Sequence, residues 1–313
     1  MVSKERASEV LDYVEMHGKD AAREYFGLSK DSVRRYVHRA KSFHKSETGQ
    51  KNLPKILFFD TETCPMNGWF FNLFKPHIDG AVQVEKNTQL ICFTAKWMGK
   101  DEIINSCVTP DEILKGDDSR VSRNLWNLLD EADVAIAHNL VRFDRKIANY
   151  RFLVNGLKPT SPYKLIDTLQ KVKEEFKFSS NRLDFINKVL GLERKRETGG
   201  MQLWIDCAHG DQEALDKMQY YCDGDILALE DVYYALAPWF RSNINFGVFT
   251  DGEKEMCSHC GSENVRLTDK KYVTGVSRFP TYKCDDCGGY SRARNSELTL
   301  QKRKNLLTSI AKG

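Results

Sequence analysis

Two acidic residues stand at the end of the first apolar run in the chain. Ile56–Phe59 has strand character, and Asp60 and Glu62 follow it with one residue between them. Successive residues of a strand point to opposite faces, so these two carboxylates share a face. Unpaired charges are costly to bury, whereas a shared divalent cation accounts for such a pair. The pattern predicts a metal site at this strand end, although a single D-x-E motif also arises by chance.

Two further acidic positions occur downstream. Asp144 follows a second apolar run, Val134–Ala137, and Asp225 comes four residues after Tyr221. If one helix continues through Gly224, Tyr221 and Asp225 lie on the same face. Each position also has a simpler explanation. An aspartate early in a helix is favoured by the macrodipole, and a tyrosine in a core stripe can stand beside a surface acid.

Strand and helix signals alternate around these residues, which places the segment in the α/β class. Apolar runs mark the predicted strands, which are 56–59, 89–97, 103–108 and 134–137. Helical periodicity marks the predicted helices, which are 141–154, 183–190 and 211–236. The acids therefore fall at strand ends or on helices that follow strands.

As a set, the three motifs resemble the DnaQ-like 3′→5′ exonucleases, a group with a ribonuclease-H-like fold. The matching elements are F-D-T-E-T at 59–63, H-N-x-x-x-F-D at 138–144 and Y-x-x-x-D at 221–225. The tyrosine in the third motif is typical of the subgroup that includes the proofreading domains of family B DNA polymerases. The resemblance implies a mixed sheet with flanking helices. It also implies a supporting role for Asp167, which begins a D-T-L element.

The resemblance further implies hydrolysis of phosphodiester bonds with two Mg²⁺ or Mn²⁺ ions. Asp60 would bridge both ions, while Glu62 and Asp225 would hold the one that activates water. Asp144 would act through the second ion, and Tyr221 would orient the attacking water. The residues implied to contact the terminal nucleotide are Asn139 and Phe143.

Four cysteines near the C-terminus have the spacing of two metal knuckles. Cys257 and Cys260 form one C-x-x-C motif, Cys284 and Cys287 form another, and 23 residues separate the two. Four thiolates provide a closed tetrahedral site for one structural Zn²⁺. His259, between the first two cysteines, is expected to be a bystander. The pattern predicts a zinc ribbon whose basic strands suit either DNA phosphates or a protein partner.

The N-terminal segment predicts three short helices. Gly18 ends the first, Gly27 follows the second, and Ser29 begins a third with an apolar stripe that includes Val33 and Val37. Basic side chains occupy the opposite face and are predicted to contact DNA: Lys30, Arg34, Arg35, His38 and Arg39. The arrangement resembles the helix-turn-helix of resolvases and transposases. A small helical bundle with a solvated basic face is the alternative.

Length and charge agree with several modules. A chain of 313 residues is long for one domain. Residues 1–55 contain 12 Lys and Arg against 8 Asp and Glu, and residues 251–313 contain the same numbers. Residues 56–250 contain 23 Lys and Arg against 28 Asp and Glu. We predict a helix-turn-helix at 1–45, a linker at 46–54, an exonuclease module at 55–245, and a zinc ribbon with a basic tail at 251–313.

The predicted activity is that of a metal-dependent 3′→5′ exodeoxyribonuclease in DNA replication or repair. The expected substrate is single-stranded DNA or the 3′ end of a DNA strand. A DNA polymerase is a candidate partner. An RNA-directed exonuclease is one alternative, since two-metal chemistry does not distinguish the sugars. A transposase or integrase lacks the Y-x-x-x-D element and the close D-x-E pair. A non-catalytic DNA-binding regulator is disfavoured because all four acids and the tyrosine are present.

The sequence also bears on the compartment. No apolar run approaches the ~20 residues that a membrane helix needs, and the first ten residues lack the apolar stretch of a secretory signal. Nine cysteines, an odd number, argue against a disulfide framework and for a reducing environment. The expected location is the cytoplasm, or the host cytoplasm for a viral protein.

Overall fold

The computed structural model describes residues 4–28, 32–33, 36–37, 54–71, 79–80, 82–192, 199–241, 244–250, 253–308 and 310. The chain divides into two compact units, one formed by residues 55–233 and the other by residues 2–54 and 234–313. Within the described ranges, no helix combines the length and the apolar character needed to cross a membrane.

The strands form a central sheet, a small C-terminal sheet and one short pair. In chain order they are β1 (Ile56–Thr63), β2 (Asn67–Gly68), β3 (Val84–Lys86), β4 (Leu90–Trp97), β5 (Ile103–Cys107), β6 (Val134–Ala137), β7 (Lys164–Asp167), β8 (Val265–Val273), β9 (Arg278–Cys284) and β10 (Tyr290–Arg292). The central sheet has the order β5-β4-β1-β6-β7. Because β1 is antiparallel to β4 and parallel to β6, the sheet is mixed, as the fold prediction required.

Helices flank this sheet and form the N-terminal segment. In chain order they are α1 (Lys4–His17), α2 (Lys19–Phe26), α3 (Pro110–Lys115), α4 (Ser119–Glu131), α5 (Asp144–Val154), α6 (Thr168–Glu175), α7 (Leu183–Val189), α8 (Met201–Ala208), α9 (Gln212–Leu236) and α10 (Leu300–Lys304). The α/β class and the small C-terminal β module are both confirmed.

Strand β1 lies at the centre of the sheet, which explains its uninterrupted apolar start. Leu57, Phe58 and Phe59 have no solvent-exposed surface. A strand with neighbours on both sides and helices on both faces is expected to be apolar at successive positions. The change to acidic residues at Asp60 and Glu62 therefore marks the end of the buried core.

Helix α9 runs without a break through Gly224, which confirms the predicted continuity. Two polar contacts attach it to β4. The Asp223 carboxylate accepts a 2.7 Å hydrogen bond from the Thr94 hydroxyl, and Glu230 forms a 2.7 Å ion pair with Lys96. The two side chains of that ion pair are 2% and 1% exposed. The pair joins the helix to the sheet, and removing one partner would leave the other charge buried and uncompensated.

The N-terminal helices share a small apolar core. Ala7, Val10 and Ala22 pack with Val33 and Val37, which are also helical. The predicted apolar stripe of the third helix is thus confirmed at these two positions. The five basic residues predicted to contact DNA, Lys30, Arg34, Arg35, His38 and Arg39, lie outside the described residues.

The C-terminal sheet is antiparallel with the order β10-β9-β8 and carries the four cysteines beside it. Its first two strands in chain order, β8 and β9, are nine and seven residues long. Gly289 is required by a close approach, because an added Cβ would lie 2.7 Å from Cδ2 of His259. This combination of a small sheet and a cysteine cluster fits a zinc ribbon.

One predicted boundary is wrong. The helix expected from about Val141 begins at Asp144, because residues 139–143 form a turn. Asn139 has φ 78°, and the Asp167 carboxylate accepts hydrogen bonds from the backbone amides of Asn139 and Val141. The same carboxylate caps α6 through the amides of Leu169 and Gln170. These contacts give Asp167 a structural role.

Candidate active site and metal centres

Three carboxylates from two distant parts of the chain meet at the end of β1. Asp60 and Glu62 come from the strand and Asp225 from α9, and one oxygen of each lies within 4.8 Å of the others. Asp225 is buried, whereas Asp60 and Glu62 are half-buried. We call these three residues the carboxylate cluster. Like charges this close repel each other, so the arrangement is best stabilised by a cation.

Neighbouring side chains hold the cluster in place. The indole nitrogen of Trp204, in α8, lies 3.2 Å from Oε2 of Glu62 and donates to it. The Trp204 ring also meets the Tyr221 ring edge-on, at 6.3 Å between centroids. The Cys222 sulfur lies 3.6 Å from Oδ2 of Asp60. The sequence does not indicate either contact, since Trp204 belongs to no motif and Cys222 occupies an unspecified position of Y-x-x-x-D.

Asp144 is held against the same strand but outside the carboxylate cluster. Its Oδ1 accepts a 2.9 Å hydrogen bond from the hydroxyl of Thr61, and the residue is 1% exposed. Burial raises the pKa of Asp144 to about 7, although the hydrogen bond from Thr61 opposes the rise. Because Thr61 lies between Asp60 and Glu62, it points to the opposite face of β1. The hydrogen bond ties Asp144 to the strand end that carries the carboxylate cluster.

The two residues predicted to contact a terminal nucleotide lie in the turn before α5. Asn139 is half-buried, and Phe143 has 38% of its surface exposed. A second group of aromatic side chains follows β1 and was not anticipated from the sequence. Trp69 is 73% and Phe71 103% exposed. Exposed aromatic rings offer stacking surfaces for bases.

The donor set of the carboxylate cluster suits hard divalent cations. Mg²⁺ and Mn²⁺ prefer carboxylate oxygens and retain positions for water and phosphate. The three oxygens come from a rigid strand end and from a helix that is fixed to the sheet. Asp60, Glu62 and Asp225 could therefore hold such an ion directly.

The cysteine cluster has the dimensions of a tetrahedral metal site. The sulfurs of Cys257 and Cys287 are 3.6 Å apart, and those of Cys260 and Cys284 are 3.7 Å apart. Zn–S bonds of about 2.3 Å give a tetrahedron with edges of about 3.8 Å. His259 is not among these ligands, because its Nδ1 and Nε2 atoms contact the carbonyl oxygens of Ala237 and Tyr290, each at 3.0 Å.

The sequence model of one protein family, described as RNase_H superfamily, matches residues 81–237, which is half of the chain. The chain belongs to the RNase H superfamily. The matched part of this chain contains Asp144, Tyr221 and Asp225. The match begins after β1, so it does not include Asp60 and Glu62. The structure brings these two residues next to Asp225, which the match does include.

One solved structure similar to this chain is the family B DNA polymerase from the hyperthermophilic archaeon Pyrobaculum calidifontis. The sequence identity is 16% and the TM-score is 0.44. The match covers 61% of this chain and 25% of the polymerase, so the chain spans about a quarter of that protein. No curated protein matches the chain.

Proposed function

We propose that this protein is a metal-dependent 3′→5′ exonuclease that hydrolyses the phosphodiester bonds of DNA. The observation that carries the proposal is the meeting of Asp60, Glu62 and Asp225 within 4.8 Å at the end of β1. RNase H superfamily membership supports nuclease chemistry in general. The D-x-E and Y-x-x-x-D motifs favour the DnaQ-like subgroup within it.

The proposed roles follow from the donor atoms and their placement. Asp60, Glu62 and Asp225 would hold the Mg²⁺ or Mn²⁺ ion that activates water, and Asp60 together with Asp144 would act through the second ion. When bound, such ions lower the pKa of water and stabilise charge on the phosphate and the leaving 3′-oxygen. Trp204 fixes the orientation of Glu62 by its hydrogen bond, and Thr61 fixes that of Asp144.

Tyr221 is proposed to orient the attacking water. A tyrosine hydroxyl with a pKa near 10 stays protonated at neutral pH, so it donates or accepts a hydrogen bond without acting as an anionic ligand. Burial supports this choice over its neighbour, since Tyr221 is 6% exposed and Tyr220 is 59% exposed. Tyr221 also lies on the helix turn that carries Asp225, as the Y-x-x-x-D spacing requires.

The flanking modules are proposed to hold the substrate. The N-terminal helices would form a helix-turn-helix that binds DNA, and the four cysteines would hold one structural Zn²⁺. A DNA polymerase is the proposed protein partner, with the exonuclease acting in replication or repair. The charge distribution supports this arrangement, because both ends of the chain are basic while the centre is acidic.

Matched single-stranded DNA and RNA oligonucleotides, labelled at either end, test the proposal. With Mg²⁺, we expect 5′-labelled DNA to shorten stepwise from its 3′ end and 3′-labelled DNA to lose its label at once as a mononucleotide. We expect the matched RNA to be degraded more slowly, and a circular single strand to stay intact.

Other outcomes would change the proposal. Faster degradation of RNA would assign the enzyme to RNA. Cleavage of the circle would indicate an endonuclease. No degradation of any linear strand, with Mg²⁺ or Mn²⁺ present, would contradict an exonuclease altogether.

A further inference from the structure

We propose that one face of the C-terminal sheet is a binding platform for single-stranded DNA. That the bound strand is DNA rests on the proposed function, whereas the binding surface follows from the residues of the sheet itself. We call this surface the ribbon face, and it is formed by Tyr272, Phe279, Lys283, Tyr290 and Arg292.

Strand register places these five side chains on one side of the sheet. Tyr290 of β10 is opposite Lys283 of β9, and Tyr272 of β8 is opposite Phe279 of β9. Directly opposed residues of antiparallel strands point to the same face. Phe279 and Lys283 are four residues apart on one strand, so they share that face. Arg292 joins them, since it lies two residues after Tyr290.

Cationic and aromatic groups alternate across the ribbon face. The Arg292 guanidinium carbon lies 4.2 Å from the centroid of the Phe279 ring and 5.5 Å from that of Tyr272. The Lys283 ammonium lies 5.7 Å from the centroid of the Tyr290 ring. Both tyrosines remain open to solvent, with exposures of 51% for Tyr272 and 54% for Tyr290. Each ring therefore has surface left for another planar group.

The positive charge on the ribbon face is available to an anion. Within the described residues, Lys283 and Arg292 form no ion pair with a carboxylate. Arg266, at the edge of this face, is paired with Asp285 at 3.1 Å. The opposite face of the same sheet differs, because its Lys271 and Arg278 are both paired with Glu297.

These properties match a single strand of nucleic acid better than a duplex or a protein. Sequence-tolerant single-strand binding combines cations along the phosphates with aromatic rings on which unstacked bases lie. The bases of a duplex are already stacked and cannot reach the tyrosine rings. A partner protein would need acidic groups for Lys283 and Arg292 but would not need exposed rings beside each cation.

Binding can be measured apart from hydrolysis. The full-length zinc-loaded protein carrying Asp60→Ala is titrated with a fluorescent oligothymidylate, and the ribbon-face changes are added to this background. Tyr272→Ala and Tyr290→Ala should each weaken binding about tenfold, because stacking of one base is worth about 1–3 kcal/mol by alanine substitution. The matched control Val273→Ala, also exposed on β8 but on the opposite face, should leave the affinity within about twofold of its parent.

Salt dependence tests the cations. Lys283→Ala or Arg292→Ala should lower the slope of log affinity against log salt by about 0.7, the value for one phosphate contact on a single strand. Lys271→Ala removes the same charge from the opposite face and should leave that slope unchanged. Zinc content and thermal unfolding verify that each variant keeps its ribbon.

The result that overturns the inference is unchanged affinity and unchanged salt slope in all four ribbon-face variants. The inference is also overturned if the variants weaken duplex binding as much as single-strand binding, or if matched RNA binds more tightly than DNA. Hydrolysis of the p-nitrophenyl ester of thymidine 5′-phosphate, measured with Asp60 intact, separates the two proposals. This small substrate has a single nucleotide and needs no strand-binding platform, so its hydrolysis supports the exonuclease whether or not the ribbon face binds DNA.

Discussion

Thr61 and Asp144 are 83 residues apart in the chain, and a 2.9 Å hydrogen bond joins their side chains in the buried interior. Thr61 stands between the two acids of the first motif, and Asp144 is the acid of the second. The contact therefore links the two motifs through a residue that is not itself a metal ligand. It makes Thr61 a positioning residue in the proposed exonuclease.

Replacing Thr61 by valine tests this role. Thr61→Val keeps the shape of the side chain and removes the hydroxyl donor, and a hydrogen bond to a charged group is worth about 1.5–3 kcal/mol. We expect kcat on single-stranded DNA to fall about tenfold to a hundredfold. Thr61→Ser, which keeps the hydroxyl, should recover most of the rate. A valine variant with wild-type kcat would show that the hydrogen bond is not needed for hydrolysis.

Tyr221 provides a graded test of the water-orienting role. Tyr221→Phe retains the ring that contacts Trp204 but removes the hydroxyl. The rate should drop about tenfold to a hundredfold, the size of one hydrogen bond made in the transition state. Replacing Asp60 or Asp225 by alanine should lower the rate of hydrolysis more than Tyr221→Phe does. Single-turnover hydrolysis of DNA measures this, and an unaffected rate in the phenylalanine variant would remove the role from Tyr221.

The buried ion pair between Lys96 and Glu230 should control the stability of the unit formed by residues 55–233. Glu230→Ala leaves the Lys96 ammonium buried without its carboxylate, and we expect a loss of about 3–5 kcal/mol in the free energy of unfolding. The double change Lys96→Met with Glu230→Leu removes both charges and should lie much closer to wild type. Urea unfolding of the three proteins gives these values. If Glu230→Ala loses less than about 1 kcal/mol, the loss typical of an exposed ion pair, the pair does not behave as a buried one.

The cysteine cluster predicts the metal content of the protein. Elemental analysis should find one zinc per chain, and Cys284→Ser should lower the occupancy because a closed tetrahedral site needs all four thiolates. Chelation should speed amide hydrogen exchange in β8, β9 and β10, since a module this small is stabilised mainly by its metal. Metal-free protein with fully protected ribbon amides would contradict the assignment.

Much of the site was predictable because its residues occur in short, spaced patterns. Asp60 and Glu62 alternate on a strand, and Tyr221 and Asp225 are one helical turn apart, so local geometry alone places each pair on one face. The two C-x-x-C motifs are predictable for the same reason. The central strand β1 was recognisable because a strand buried on both faces is apolar at every position.

The parts that escaped prediction depend on contacts between distant residues. Trp204 reaches Glu62 across 142 positions, and its helix carries no motif that indicates a partner. The late start of α5 follows from the hydrogen bonds of Asp167, which lies 23 residues further along the chain. The contact of Asp144 with Thr61 is likewise non-local, since 83 residues of chain separate the two side chains.

Hydrolysis of a 5′-labelled DNA oligonucleotide by carboxylate variants tests the central claim most directly. With Mg²⁺, the wild-type protein should shorten the strand from its 3′ end. Asp60→Ala and Asp225→Ala should each slow this by at least about a thousandfold, because a catalytic metal contributes several kcal/mol of transition-state stabilisation. Both variants should keep the wild-type circular dichroism spectrum. If folded Asp60→Ala and Asp225→Ala proteins degrade DNA at the wild-type rate, the carboxylate cluster is not the catalytic centre.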